Sequence, residues 1–423
     1  MAASVRRIHH ISLHVSNVDK LANDFRNKFK FNLFATRLTE STRQLAFRTG
    51  SAVFVVNERA NRGDRGRLNV EPQPPEHHHA AGCLYDVTSH HPVDTACNVC
   101  FEVDDVHGSY EALRRMGCSF PVPPTTVRDH RGQVTYAVLR SVVGNVCHTL
   151  IDKSEYPGSF LPGFLVTEGD QEKQHRPEAV THVDHITYAC ATGTSQKVQS
   201  WYQQLFGFQR FFIHRNDEAD SGFVINQKGI GLRLSAMEYR KCGESGLSLP
   251  GARQNQPGCK FVLAESLPDQ GSNQVNTFLE EHQAAGVQHI GLYTGDIVEA
   301  ARHMADAGVR FFSPPPAYYT ELGKLREIED AGQDAQKLAQ HGVLLDADPQ
   351  MQASSARESQ RYLLQVFTKP LFAEDTFFLE LIERRGSSGF GEGNVRALWR
   401  SVQVYMDEEK LAGAQETAPQ QPR

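Results

Sequence analysis

The sequence predicts an α+β fold of duplicated βαβββ modules, two halves of two modules each, with a helix laid over the second half. The chain resembles itself at two places, which is the mark of a duplication. Its apolar residues alternate with period two in short runs and return at helical spacing between them, so strands and covering helices share each module. A polar stretch with neither period, 166–181 (VTEGDQEKQHRPEAVT), reads as a linker between the halves.

Taken in order, residues 7–31 (RIHHISLHVSN…FRNKFKF) give a strand and a helix, and they match 182–208 (HVDHITYACAT…YQQLFGF), so that His10 falls on His185. A Pro- and His-rich stretch, 69–93, interrupts the first half as a surface insertion. Next, VCFEVDDV…ALRRMGCSF (99–120) matches HIGLYTGDI…ARHMADAGVRFF (289–312), with the same interval of 12 from Asp105 to Gly117 and from Asp296 to Gly308. A second insertion is expected at 347–359. LLQVFTKP (363–370) and FFLELIE (377–383) then read as the last strands. From Asn394 to Leu411, apolar Val395, Leu398, Trp399, Val402 and Tyr405 recur at helical spacing, giving an amphipathic helix that needs an apolar surface to cover. The expected divisions are 5–165, linker 166–181, 182–390, lid helix 391–411 and an unstructured tail 412–423.

Composition sets limits. The 423 residues exceed the size of one core, and a formal charge of −6 offers no global field for nucleic acid or an anionic membrane. No run approaches the ~18 apolar residues of a spanning helix. Eight cysteines are too few for a disulfide scaffold. Cys97 and Cys100, on one strand, should face opposite ways as inert thiols. His77, His78, His79, Cys83, His90 and His91 lie in the insertion without ordered spacing and read as a solvated loop.

The halves differ where chemistry would sit. The second holds His185, His289 and Glu380; the matched places in the first hold His10, Asn98 and Thr149, leaving His10 as a relic. Glu380 shares a strand face with Phe378 and Ile382, so its carboxylate must be paired or bound to metal. Two imidazoles and one carboxylate from three strands match the facial triad of non-haem Fe(II), with zinc as the competing metal. Iron with one carboxylate leaves a single positive charge, which suits an anionic 2-oxo acid and leaves room for dioxygen.

The motifs VDHIT (183–187), GVQHIGLYTGDI (286–297), PPPAYY (314–319), LLQVFTKP, FFLELIERR (377–385) and GFGEGN (389–394) resemble those of the 4-hydroxyphenylpyruvate dioxygenase family, of the vicinal-oxygen-chelate fold, over nearly the whole chain. The resemblance implies Fe(II) on His185, His289 and Glu380, with the metal confined to the second half. It further implies a substrate pocket of Gln274, Gln365, Phe367, Phe378, Phe390 and Asn394 beneath the lid. Its dioxygenases carry Ser, Asn and Phe where this chain has Leu234, Ala264 and Val395, so the space around the aromatic ring is reshaped while the iron is not. The sister hydroxymandelate synthases resemble the chain in a small aliphatic at the lid position. The expected reaction is therefore decarboxylation of 4-hydroxyphenylpyruvate with dioxygen and hydroxylation of its benzylic carbon to 4-hydroxymandelate, feeding the ubiquinone headgroup. The alternatives are ring hydroxylation to homogentisate and a non-catalytic binding paralogue; a lyase or isomerase of the same fold would want a fourth ligand. The family pattern also implies a homodimer and a mitochondrial location, with the cytoplasm as runner-up.

Overall fold

The computed structural model describes residues 3–39, 42–58, 83–87, 91–167, 179–211, 222–227, 230–239, 259–347 and 361–398. The expected tail, most of the linker and both insertions, and the lid beyond residue 398, lie outside them.

The first module runs β1 (Val5–Val15), α1 (Val18–Asn27), β2 (Asn32–Leu38), β3 (Arg43–Thr49), β4 (Ala52–Glu58); the second runs β5 (Thr95–Val103), α2 (Val106–Arg115), β6 (Val122–Asp129), β7 (Gly132–Arg140), β8 (Cys147–Asp152). A short β9 (Leu165–Val166) adds to the edge at β2, so the first sheet reaches into the stretch read as linker. The third module comprises β10 (His182–Cys190), α3 (Ser195–Phe206), β11 (Gln209–Phe211), β12 (Phe223–Gln227), β13 (Ile230–Tyr239) and β14 (Cys259–Ser266). Helix α4 (Gln274–His282) leads to the fourth: β15 (Gly286–Tyr293), α5 (Ile297–Asp306), helices α6 (Ala317–Thr320), α7 (Leu322–Asp330) and α8 (Ala335–His341), then β16 (Leu344–Ala347), β17 (Tyr362–Phe367) and β18 (Phe378–Arg385).

Each module folds the same way. Its first strand pairs in parallel with its last, and two modules meet through their first strands, antiparallel, at the middle of a nine-stranded sheet: β1 with β5, β10 with β15. The repeated interval of 12 has a local cause. Asp105 and Asp296 are N-caps, accepting from Gly108 N at 2.9 Å and Glu299 N at 3.0 Å, and Gly117 and Gly308 close the helices with φ of +86° and +95°, which L side chains resist.

The helices bury one face against the sheets, as Val18, Leu21, Ala22 and Phe25 of α1 show. One apolar core, from Ala3 to Ala397, takes residues from both sheets; the concave interiors hold two separate clusters. Among the described residues no helix is long and apolar enough to cross a membrane.

Candidate metal centre

The three central strands of the second sheet, β10, β15 and β18, bring His185, His289 and Glu380 together, each offering a ligand atom within 4.8 Å of the others. Glu380 Oε2 lies 3.2 Å from His185 Nε2 and 3.4 Å from His289 Nε2. Strand register explains why they meet. Gly291 is the pairing neighbour of both His185 and Glu380, and a Cβ at that position would stand 2.3 Å from His185 Cε1. Only a residue without a side chain leaves the imidazole room to lean toward the carboxylate.

A residue that sequence reasoning passed over sets the tautomer. The register slips between Val183 and His185, a bulge that turns Asp184 to the same side as its neighbour. The buried Asp184 carboxylate accepts from His185 Nδ1 at 2.9 Å and holds Arg384 in a bidentate pair at 2.7 Å twice over. With the proton on Nδ1, the lone pair of Nε2 faces the centre, the arrangement typical of a metal-bound histidine. Arg384 also donates to Gly389 O at 2.6 Å, fastening the loop that carries Phe390. The signal was present in VDHIT, but alternation assigns Asp184 to the opposite face.

The electrostatics ask for positive charge at the centre. Burial opposes ionisation of Glu380, yet the His185 charge and hydrogen bonds from both histidines outweigh it and hold the carboxyl at about 2. Burial likewise disfavours a charged His185, but Glu380 and Asp184 together lift it to about 9. His289 falls below the ordinary histidine range because burial wins there. A divalent cation would displace the protons that the histidines direct at Glu380, and among the described residues two imidazoles and one ionised carboxylate form the cluster, a set that fits such a cation with positions left open.

The neighbouring residues divide into two walls. Phe378 stacks on His289 (centroids 4.8 Å apart, 19° between planes), and Phe367 meets the same ring edge-on at 6.3 Å. Phe390 stands edge-on to His185 at 5.2 Å, with the Arg384 guanidinium 5.3 Å and the buried Lys260 ammonium 5.8 Å from its centroid. Gln365 donates to Glu380 Oε1 at 2.8 Å and to Phe390 O at 3.1 Å, while its own oxygen accepts from Asn394 Nδ2 at 2.9 Å. Asn394, in the helical turn 392–398, accepts from the Tyr318 hydroxyl at 2.7 Å. A relay of hydrogen bonds thus runs from α6 through the start of the lid helix to Glu380.

Beside this stands a buried apolar cluster that includes Ala189, Phe223, Val262, Phe278 and Phe390, with Val395 packed against it. Leu234 and Ala264 belong to it as direct cross-strand partners. One expected pocket residue is corrected: Gln274 is exposed at the first turn of α4, whose buried face is Val275, Phe278 and His282. It stands at the first position of the helix, one residue before the buried Val275, with its side chain exposed, so that amide does not reach the cluster.

A model of the Glyoxalase/Bleomycin resistance protein/Dioxygenase superfamily matches residues 182–331. The 4-hydroxyphenylpyruvate dioxygenase-like protein of Mus musculus is 42% identical over 95% of this chain and 98% of its own length, and that of Homo sapiens 41% over 95% and 98%. The chain belongs to the 4-hydroxyphenylpyruvate dioxygenase family. Within it, the dioxygenase of Yarrowia lipolytica is 29% identical over 73% of this chain and 72% of its own. The family fold, built of paired βαβββ modules, is also that of a triple mutant of 4-hydroxymandelate synthase from Streptomyces coelicolor, at a TM-score of 0.69 and 23% identity over 95% of this chain and 99% of that one.

Proposed function

We propose that the chain is a non-haem Fe(II) dioxygenase that takes 4-hydroxyphenylpyruvate and dioxygen to 4-hydroxymandelate and carbon dioxide. The observation that carries the product is the apolar cluster beside the three ligands: Leu234, Ala264 and Val395 within it bear no hydrogen-bonding side chain and no aromatic ring. Iron held by His185, His289 and Glu380 would bind the 2-oxo acid and activate dioxygen there, using the electrons freed by decarboxylation. Everything else falls to the side chains. Arg384 and Lys260 surround Phe390 with positive charge that suits an anionic substrate, and Asp184 keeps His185 Nε2 directed at the metal position. Phe390, and Val395 of the helical turn 392–398, pack on this apolar cluster, where they would shield a bound substrate from water. A phenol ring without polar anchors can tilt so that its CH2 group, rather than the ring carbon, approaches the metal. Mitochondrial supply of the ubiquinone headgroup and a homodimeric state belong to the same proposal, carried by the family resemblance.

The test is anaerobic loading with Fe(II), then addition of 4-hydroxyphenylpyruvate and oxygen. Because 4-hydroxymandelate and homogentisate are isomers, the product is identified by chromatography and fragmentation rather than by mass alone. Oxygen uptake with a benzylic alcohol as product is expected, and Val395→Phe should shift part of the product to homogentisate. Iron-loaded protein that consumes no oxygen would overturn the catalytic reading in favour of a binding protein.

A further inference from the structure

The first half was expected to keep His10 as a relic without partners at Asn98 and Thr149. The structure places other residues beside it. Its metal-like triad is indeed closed: Asn98 Nδ2 donates to Thr149 Oγ1 at 2.9 Å and Thr149 N donates to Asn98 Oδ1 at 3.0 Å, so these two satisfy each other. Asp86 then fills the interior, accepting from Asn98 at 2.6 Å, from Asn57 at 3.1 Å and lying 2.9 Å from His14 Nε2. His10 takes no part in that network. The register of β1 against β5 slips between Ile8 and His10, the same bulge that aims Asp184 at His185 in the other half, and here it turns His9 to the side of His10. Across the ladder, the direct partner of His10 is Cys100, which occupies the place held by Gly291 in the second sheet.

The result is a second buried cluster. His9, His10 and Cys100 each offer a ligand atom within 4.8 Å of the others, and the two imidazole Nδ1 atoms are 2.8 Å apart. His10 and Cys100 are buried, at 2% and 0% exposure, while His9 is partly open. Phe160 stacks on His9 at 5.8 Å and covers His10 at 6.3 Å, closing one side. Arg7, Glu102 and Lys153 line a surface cleft of the same half. Burial holds both rings in the neutral form, His10 at about 4, and the neutral ring is the one that ligates.

We propose that His9, His10 and Cys100 form a second metal site, for a thiophilic monovalent cation, Cu(I), bound by two imidazole nitrogens and one thiolate. Soft sulfur donors select Cu(I) or zinc among biological metals. Charge decides between them. One thiolate with Cu(I) is neutral, which a desolvated pocket tolerates; Zn2+ would leave a net positive charge beside Arg7 and Lys153 and would want a fourth ligand that this cluster lacks. On binding, the cation replaces the Cys100 thiol proton, which leaves to solvent, and the ring that carries its proton on Nδ1 shifts it to Nε2, so that both Nδ1 lone pairs face the cation and both rings stay neutral. No change of oxidation state is involved.

The full chain is tested by anaerobic titration with Cu(I) against a Cu(I) chelator such as bathocuproine disulfonate, followed by X-ray absorption at the copper edge. One ion held per chain by one sulfur and two nitrogens is expected, with affinity rising with pH as the thiol proton is displaced. Cys100→Ser and His9→Asn should each weaken retention by more than about tenfold, while His185→Ala should keep it. Circular dichroism and iron loading at the other centre establish that Cys100→Ser is folded. The proposal is overturned if the native chain surrenders all copper to the chelator, if Cys100→Ser retains it unchanged, if His185→Ala is the variant that loses it, or if Zn(II) is held in preference.

Discussion

At the scale of single residues, the centre depends on two positions that contribute no ligand. Gly291 gives the His185 ring its space: a methyl there would lie 2.3 Å from Cε1 and push the imidazole off the metal position. Gly291→Ala should therefore lower iron affinity by about 10–100-fold, as loss of orientation does at other metal sites, while the melting temperature stays close to that of the native chain. Unaltered iron stoichiometry in the variant would show that the ring can lean elsewhere. Asp184→Asn tests the other support. The amide cannot hold both Arg384 and the Nδ1 proton as a bidentate acceptor, so iron retention should fall over a similar range, and Asp184→Glu should restore part of it. These positions also show how far the sequence could be read. His185, His289 and Glu380 were legible because the other copy of the repeat lacks two of them, and strand parity put Glu380 among apolar neighbours. Asp184 and Gly291 were not, because a bulge and a cross-strand approach decide their roles, and neither leaves a trace in periodicity. The neighbours of His10 were not legible for the same reason: His9 and Cys100 reach it through a bulge and a ladder register.

At the scale of elements, the start of the lid helix is seated by a carboxylate that resists ionisation. Asp346 of β16 accepts from Gly393 N at 3.0 Å, at the first turn of the helix 392–398. Burial and the neighbouring Glu392 raise its carboxyl to about 7, with Glu327 adding to the rise and Lys324 and the Gly393 N–H opposing it. Because the folded value stands above the unfolded one, this group supports the fold fully below about pH 4, and that support is lost as pH rises through 7. Asp346→Asn keeps the acceptor and removes the charge. Its stability should match the native chain at pH 4 and exceed it at pH 8 by roughly 2–4 kcal/mol, read from denaturant melts at the two pH values; a difference that does not change with pH would refute the assignment. Element types and order followed from alternation and from the paired Asp-to-Gly intervals, since caps and left-handed glycines are local. The exposed place of Gln274 was not legible, because counting residues back from His289 does not show which face α4 turns inward.

At the scale of the whole molecule, the two sheets share one core. Val99 and Phe101 of β5 lie in the same apolar cluster as Tyr188, Tyr202 and Phe261 from the second sheet. Phe101 approaches Phe206, Phe208 and Phe261 at 5.5, 6.4 and 6.3 Å. Polar contacts cross as well: His148 Nε2 lies 2.6 Å from the Tyr202 hydroxyl, and Thr95 Oγ1 lies 2.8 Å from His282 Nε2. Burial of this surface makes separate melting of the sheets unfavourable, since either one alone would expose its share of the aromatic cluster. The chain should therefore unfold in a single calorimetric transition despite its internal repeat. Gly144 supplies the perturbation that tests it. It belongs to the first half, has φ of +42°, and a Cβ there would stand 1.9 Å from the backbone oxygen of Ala285, just before β15. Gly144→Ala combines backbone strain with overpacking, a cost of roughly 2–4 kcal/mol. If the core is shared, that cost lowers the one transition as a whole and iron is released over the same temperature range. A variant whose first sheet melts separately, while the second keeps its iron to the native temperature, would show that the halves are coupled by the chain alone.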